Sequence, residues 1–291
     1  MNCLHRQIRL LANKEGRQHR FLLSIGTNTS SDSDAEAFRS ETKKRVMLIN
    51  QEICIGCHKC APHCPVEAIF ITDQKARKRR KPRAIDLDRC VECGTCLRAG
   101  VCKVEAIYQQ PMEWPRTLRA SFSNPLKPHG HTGLLGRGTE EVKTNEVTHR
   151  YVRGQVGVTV EMGRPGIGTS MRDIDRLTRA MADRGVEFEP RTPVTGLMSD
   201  SVRGILKEEV LNERVLSAII EFKLPEEKLD VILSALKQVA ETLDTVFSLG
   251  VISVLPPDGP DPTAERIKSL GFTLRPNGKV NLGLGRPLPK P

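Results

Sequence analysis

Hydrophobic and polar residues alternate with a period of two along residues 156–162, which predicts a half-buried β-strand. The apolar positions that follow have helical spacing: Met171, Ile174, Leu177 and Met181. Ser170, with Asp173 three residues later, has the pattern of a helix N-cap followed by an acidic first turn. Residues 186–188 return to an extended, apolar pattern. This stretch therefore predicts a β-α-β unit.

The same order repeats further along the chain. Residues 216–222 predict a strand, a helix follows the sequence Leu-Pro-Glu-Glu, and residues 246–255 predict a closing strand. The apolar positions of this second helix are Leu229, Ile232, Leu233, Leu236, Val239 and Leu243. Two consecutive β-α-β units predict an α+β fold for residues 151–256, a split βαβ or ferredoxin-like sandwich that resembles ACT-type domains. The term names a fold and implies no iron–sulfur cluster.

Upstream of this region, eight of the nine cysteines form two compact runs. The first run consists of Cys54, Cys57, Cys60 and Cys64, and the second of Cys90, Cys93, Cys96 and Cys102. Three cysteines spaced by two residues wrap one corner of an iron–sulfur cube, and in two-cluster proteins the fourth ligates the other cluster. Soft thiolates at this density select iron–sulfur or zinc over hard cations.

The two runs continue with related sequences, Cys64-Pro-Val-Glu-Ala-Ile69 and Cys102-Lys-Val-Glu-Ala-Ile107. With this duplication, residues 47–109 resemble a bacterial-type two-cluster ferredoxin, 2[4Fe-4S]. The resemblance implies two [4Fe-4S] clusters with crossed ligands. Cluster one would be bound by Cys54, Cys57, Cys60 and Cys102, and cluster two by Cys90, Cys93, Cys96 and Cys64. It also implies short strands over 46–49, 69–72, 83–87 and 106–109, with short helical turns after Pro65 and Cys102.

The second run departs from the ferredoxin pattern at its end. Five residues rather than three precede Cys102, and Lys103 replaces the usual proline. A longer loop over 97–101 can still deliver Cys102. Zinc and disulfides are the alternatives to clusters. Structural zinc sites, however, typically show two CxxC pairs separated by a long spacer. Disulfides require an oxidising compartment, and the sequence shows no secretory signal.

Charge adds a candidate docking surface. The chain has 291 residues and a formal net charge of +10, and part of the excess lies in an insert between the cysteine runs, from Lys75 to Arg83. It can dock an acidic redox partner or form a solvated loop. Nucleic-acid binding is disfavoured because no aromatic residues interleave with the insert. No apolar run approaches the roughly 18 residues of a membrane span, and with reduced thiolates this predicts a cytoplasmic protein.

The remaining segments are predicted from composition. Residues 1–46 are basic and rich in serine and threonine, which predicts a disordered extension. Residues 110–150 are punctuated by proline and glycine and predict a linker, whose polar part over 137–150 can alternatively line a site between domains. Residues 257–291 are a C-terminal extension with a short helix near 264–270 and a strand over 279–284.

A second candidate site follows the strand 156–162. The loop 163–170 leads into a helix N-terminus, where backbone N–H groups favour an anion. The residues of this possible site are Arg164, Gly166, Gly168, Ser170 and Arg286, the last because residues 285–287 repeat the Gly-Arg-Pro of residues 163–165. The alternative is a tight turn that needs glycines, since the loop lacks both the P-loop and the dinucleotide-binding fingerprints.

These patterns favour an electron-transfer protein or subunit that relays low-potential electrons through two clusters to a partner oxidoreductase. No nucleophile elbow, HExxH motif or flavin signature is present, so an electron-transfer component is favoured over a self-contained enzyme. The linker and C-terminal region are similar to sequences around 6-hydroxynicotinate reductase, which implies a ferredoxin-coupled reductase as an alternative. A regulatory or nucleic-acid-associated iron–sulfur protein is the second alternative.

Overall fold

A computed structural model describes residues 3–8, 46–74, 80–136, 150–163, 167–254, 256, 261–274 and 279–281. The chain divides into two compact units. The cysteine unit comprises residues 12–90 and 94–114, and the sheet unit comprises residues 1–11, 91–93 and 115–291. Among the helices of the described ranges, none combines the length and apolar character needed to cross a bilayer.

The described strands are, in chain order, β1 (Cys3–Ile8), β2 (Met47–Ile49), β3 (Ile69–Ile71), β4 (Arg83–Ile85), β5 (Ile107–Gln109), β6 (Gln155–Met162), β7 (Thr169–Ser170), β8 (Glu187–Phe188), β9 (Met198–Asp200), β10 (Ile205–Leu206), β11 (Arg214–Val215), β12 (Ala218–Pro225), β13 (Phe247–Val254) and β14 (Lys279–Asn281). The α-helices are α1 (Thr95–Arg98), α2 (Thr117–Ser123), α3 (Met171–Ala182), α4 (Leu229–Thr242) and α5 (Pro262–Ser269). Short 3-10 helices lie at Ala61–His63, Thr195–Leu197, Glu208–Val210 and Glu226–Lys228.

The cysteine unit is built from two antiparallel strand pairs, each of which joins the end of one sequence repeat to the start of the other. Strand β2 pairs with β5, and β3 pairs with β4. Two backbone hydrogen bonds extend the pairs: Asn50 N–H donates to Ala106 O at 2.7 Å, and Asp86 N–H donates to Ala68 O at 2.8 Å. The end of each half is therefore fixed beside the start of the other half. The four strands expected in residues 47–109 are all present.

Apolar side chains of these strands form the core of the cysteine unit. Met47, Ile49, Ile69, Ile85 and Ile107 are buried in one cluster, into which several cysteines also pack. Strands of three residues contribute few ladder hydrogen bonds, so burial of this cluster supplies much of the unit's stability.

The sheet unit contains a six-stranded sheet with the order β14-β1-β13-β6-β12-β8, in which neighbouring strands are antiparallel. Along the chain the central elements follow as β6, α3, β8, β12, α4 and β13, so two β-α-β units are interleaved in one sheet. Helices α3 and α4 contact each other. The predicted mixture of helix and sheet is confirmed. Strand β8 has only two residues. The long segment 189–217 then contains the short strand pair β9–β10 and strand β11, which pairs with β7, before β12 begins.

The apolar residues at every second position of β6 explain why this strand lies in the middle of the sheet, between β13 and β12. Val156, Val158, Val160 and Met162 are completely buried. Their partners across the sheet include apolar residues on both sides, for example Phe222 of β12 and Val251 of β13 opposite Val158. The apolar stripes of α3 and α4 are buried as well, as expected from their helical spacing.

The predicted N-cap of α3 is confirmed. The Ser170 Oγ accepts a hydrogen bond from Asp173 N–H at 3.0 Å and donates one to Asp173 Oδ2 at 2.8 Å. Asp173 is buried in the first turn, where its negative charge interacts favourably with the helix dipole. The cap satisfies a backbone donor that the helix itself leaves without a partner.

Two segments differ from their sequence-based predictions. Residues 3–8, within the predicted disordered extension, form β1 between β13 and β14, because an edge strand such as β13 offers backbone groups to any chain that reaches it. Residues 9–45 lie outside the described residues. Part of the predicted linker also belongs to the sheet unit, where α2 buries Leu118 and Phe122. These two residues have the i, i+4 spacing of a helix, but the prolines on both sides of the segment indicate a linker in the sequence.

Ser170→Ala removes the side-chain cap of α3. We expect a loss of about 1 kcal/mol in the free energy of unfolding, because Asp173 N–H loses its acceptor. Denaturant titration followed by circular dichroism measures it. Ser234→Ala is the matched control, since Ser234 is exposed in α4 and its change should stay within about 0.5 kcal/mol. Equal effects of the two substitutions would contradict a capping role for Ser170.

Candidate metal centre

Four cysteines from opposite ends of the cysteine unit line one cavity: Cys54, Cys57, Cys60 and Cys102. Cys60 is buried and the other three are half-buried. These four are the residues that the ferredoxin resemblance assigns to the first cluster. The crossed strand pairs explain the arrangement, because β5 follows Cys102 and is paired with β2, which precedes Cys54.

The walls of the cavity are mainly apolar. Its aliphatic lining consists of Ile49, Ile55, Val101, Val104, Ala106 and Ile107. The remaining lining residues are His58, Lys59 and Arg83. A wall of this kind limits water and strengthens electrostatic interactions inside the cavity.

The thiols of the cavity influence one another electrostatically. Burial raises the pKa of the Cys60 thiol, a backbone hydrogen bond at Cys60 lowers it, and nearby Cys54, Cys57 and Cys102 raise it further. Four thiolates in such a space repel each other unless cations join them. Binding of iron supplies those cations and releases the thiol protons. The chemistry of this donor set therefore fits an iron–sulfur group.

Backbone N–H groups point at three cysteine sulfurs. Ala68 N–H donates to Cys64 Sγ at 3.1 Å, and Ala106 N–H donates to Cys102 Sγ at 3.2 Å. Arg83 N–H lies 3.4 Å from Cys54 Sγ. Donors of this kind stabilise thiolate charge, and hydrogen bonds to the sulfurs are one of the factors that set a cluster's potential.

Both cysteine runs follow the same backbone path. Three pairs of corresponding positions have positive φ, namely Gly56 (66°) and Glu92 (54°), His58 (65°) and Gly94 (69°), and Glu67 (52°) and Glu105 (50°). Non-glycine residues adopt this region rarely. Because the same unusual conformation recurs at each position, the two cysteine loops have one backbone shape.

Residues of the second set also pack into the core. Cys64 belongs to the same apolar cluster as Cys90 and Cys96, and Cys93 is buried. Cys90 N–H donates to Asp86 O at 2.9 Å, as Cys54 N–H donates to Asn50 O at 3.1 Å in the first run. The backbone turn that precedes each cysteine run is therefore closed by the same hydrogen bond.

The arrangement around the cavity differs from a single-ion site. Structural zinc requires ligands that converge on one point, about 2.3 Å from each sulfur. Within the residues described by the structure, no group of three or more His, Cys, Asp or Glu side chains is placed to hold one ion. The four thiols surround a cavity, which is the arrangement that a multi-atom cluster requires.

The five-residue gap before Cys102 is accommodated by the short helix α1. The first run reaches its fourth cysteine through the 3-10 helix Ala61–His63, whereas the second uses the α-helical turn Thr95–Arg98 and Gly100 with φ 62°. After each fourth cysteine the chain turns alike: Glu67 N–H donates to Cys64 O at 3.3 Å, and Glu105 N–H to Cys102 O at 3.1 Å. Lys103 therefore replaces proline without changing the turn.

The second candidate site is only partly described. Arg164, Gly166 and Arg286 lie outside the described residues. Gly163 and Gly168 have φ of 79° and 77°, and a Cβ on Gly163 would lie 2.7 Å from Leu216 O. These glycines thus satisfy a tight turn, and Ser170 is engaged in the cap of α3. Anion binding at this loop stays a prediction.

Two charged residues beside the cysteines are buried. Arg83, a member of the basic insert, is only 8% exposed. Glu92 is fully buried, and its Oε1 accepts hydrogen bonds from Nε and Nη2 of Arg116 at 3.0 and 2.7 Å. The sequence signal for Arg83 is its two-residue spacing from Ile85, which places both side chains on one face of β4. For Glu92 the sequence signal is a charged residue between Cys90 and Cys93.

Comparison with known proteins agrees with this site. Residues 53–106 match the family model of the 4Fe-4S dicluster domain. Among curated proteins, a subunit of the ion-translocating oxidoreductase complex of Methanosarcina acetivorans is 37% identical over 70 residues, which are 24% of this chain and 23% of that protein. The chain thus spans about a quarter of that relative's length. Within this chain, residues 53–106 are a 4Fe-4S dicluster domain of the ferredoxin type.

Proposed function

We propose that the protein is an iron–sulfur electron carrier, or the electron-transfer subunit of an oxidoreductase complex, with two [4Fe-4S] clusters. The observation that carries the proposal is the cavity lined by Cys54, Cys57, Cys60 and Cys102. Three of these cysteines come from the first run and one from the end of the second, as a crossed two-cluster module requires. Cys90, Cys93, Cys96 and Cys64 are the corresponding second set.

The residues around the cysteines have roles that follow from their chemistry. When bound, a [4Fe-4S] cluster accepts and returns one electron. The thiolates hold the iron, and Ala68, Ala106 and Arg83 direct backbone N–H groups at the sulfurs. The aliphatic wall keeps water away, and a fixed backbone holds these dipoles in place as charge is added or removed. This is preorganisation for electron transfer rather than for bond making.

A redox partner is part of the proposal. The relative's name describes it as a subunit of an ion-translocating oxidoreductase complex. We propose that this chain also works with partner proteins in a larger assembly. Phe70 and Ile71 of β3 and Tyr108 of β5 are exposed apolar side chains in the cysteine unit. Arg80 and Lys81, shortly before β4, are exposed as well, while residues 75–79 of the insert lie outside the described residues. Exposed apolar and basic side chains together suit an acidic protein surface.

The sheet unit is proposed to dock that partner or to bind a small ligand. Its interleaved β-α-β units support the proposal of a split βαβ sandwich that resembles ACT-type domains. Recognition rather than bond making is the role proposed for this unit.

The crossed ligand sets can be tested with paired cysteine substitutions. Anaerobically reconstituted protein should hold about eight irons, and Cys54→Ala or Cys102→Ala alone should leave about four. Because both residues serve one cluster, the double variant C54A/C102A should also keep about four. C54A/C64A should lose both clusters. Iron and sulfide analysis provides the measurement.

Uncrossed ligation reverses the last two outcomes, since C54A/C64A would then keep one cluster and C54A/C102A none. That reversal would contradict the proposal. Cys3→Ala is the control, because Cys3 lies outside both runs and its substitution should leave the iron content unchanged.

The basic surface predicts a charge-dependent rate of electron release. Reduced protein should reduce the anionic complex Fe(III)–EDTA more slowly as salt rises from about 0.01 M to 0.15 M, over which the Debye length falls from about 30 Å to 8 Å. Hexaamminecobalt(III), a cation, should show the opposite salt dependence. Stopped-flow absorbance measures both rates. The double substitution of Arg80 and Lys81 by glutamate should weaken the salt dependence with Fe(III)–EDTA, and unchanged slopes would exclude this surface as the docking site.

A further inference from the structure

A buried guanidinium lies at the cavity that is lined by the first cysteine set. Arg83 lines this cavity and is 8% exposed. Within the described part of the chain, its Nε and Nη1 are buried and find no hydrogen-bond acceptor. An arginine cannot lose its charge in a protein, and a buried charge is costly unless a counter-charge compensates it. The side chain therefore requires an anionic partner.

The cavity itself offers one kind of anion. Its charged or titratable lining residues, among those that the structure describes, are His58, Lys59, Arg83 and the four cysteines, and none is a carboxylate. Arg83 is also tied to the first cysteine by its backbone, since its N–H lies 3.4 Å from Cys54 Sγ. The counter-charge available at this place is the set of thiolates together with the cluster that they hold.

The other sequence repeat carries an uncharged residue at the position that corresponds to Arg83. Equivalent positions differ by 36 residues, as Cys54 and Cys90 do, so the counterpart of Arg83 is Met47. The strand pairs agree with this alignment, because Met47 starts β2 opposite Gln109 and Arg83 starts β4 opposite Ile71. Met47 is completely buried. Two ligand loops with the same backbone thus have different charges beside them.

Resting on the proposed function, we infer that Arg83 is a positioning residue that sets the potential of the first cluster. Reduction adds one negative charge, and a buried cation stabilises the reduced form more than the oxidised one. The cluster bound by Cys54, Cys57, Cys60 and Cys102 is consequently easier to reduce than the other. An electron entering the module comes to rest on it.

Arg83→Met tests this inference, because it introduces the side chain that the other repeat carries at the corresponding position, Met47. Potentiometric titration of the reconstituted protein, followed by electron paramagnetic resonance, yields the two midpoint potentials. We expect the higher potential to fall and the lower to stay, with at least a tenfold change in electron distribution, or about 59 mV for one electron. Arg83→Lys keeps the charge and should stay close to the wild type.

Arg89→Met is the matched control. It removes the same charge six residues away, but the Arg89 side chain is half exposed, so water and salt screen its effect and both potentials should stay. If Arg83→Met fails to retain iron, Arg83→Gln carries the same expectation. Two clusters in the wild type with no shift in either variant, or a shift in the lower potential, would overturn the inference. A wild type without two titrating clusters would instead overturn the proposed function.

Discussion

The crossed pairing of short strands is the constraint on which the metal centre depends. Each half of the cysteine unit ends against the start of the other half, through the β2–β5 and β3–β4 pairs and their flanking hydrogen bonds. Cys102 follows the second run but lies at the cavity of the first. Without the crossing, Cys102 would not reach the cavity that Cys54, Cys57 and Cys60 line. A few backbone hydrogen bonds and a small aliphatic core thus determine which thiols meet.

Around that frame the two halves are alike in backbone and different in charge. The repeated positive φ values and the N–H groups aimed at Cys64 and Cys102 give both halves the same local environment. Arg83 adds a buried cation at the first cavity, whereas Glu92 and Arg116 form an ion pair on the loop that carries Cys93. Duplication supplies two ligand loops of one shape, and single substitutions within it are sufficient to make their electrostatics unequal.

Much of this architecture can be predicted from the sequence because its causes are local. Cysteine spacing, the repeated Val-Glu-Ala-Ile sequence and the change from a period of two to helical spacing are all visible along the chain. The placement of β1 is not, since it depends on a free edge of β13 that exists only in the folded sheet. The burial of Arg83 also escapes prediction, because a run of positive charges indicates an exposed loop while the register of β4 turns one of its members inward. Residues 137–149 and the Arg164 loop lie outside the described residues, so their predicted roles are unchanged.

The proposed electron-transfer role requires that one short module holds two [4Fe-4S] clusters. The most direct measurement is the iron and acid-labile sulfide content of the full chain after anaerobic reconstitution, together with its absorption spectrum. We expect about eight irons and eight sulfides per chain, with a broad absorption band at about 400 nm that bleaches on reduction. About four irons per chain, or zinc without sulfide, would contradict it.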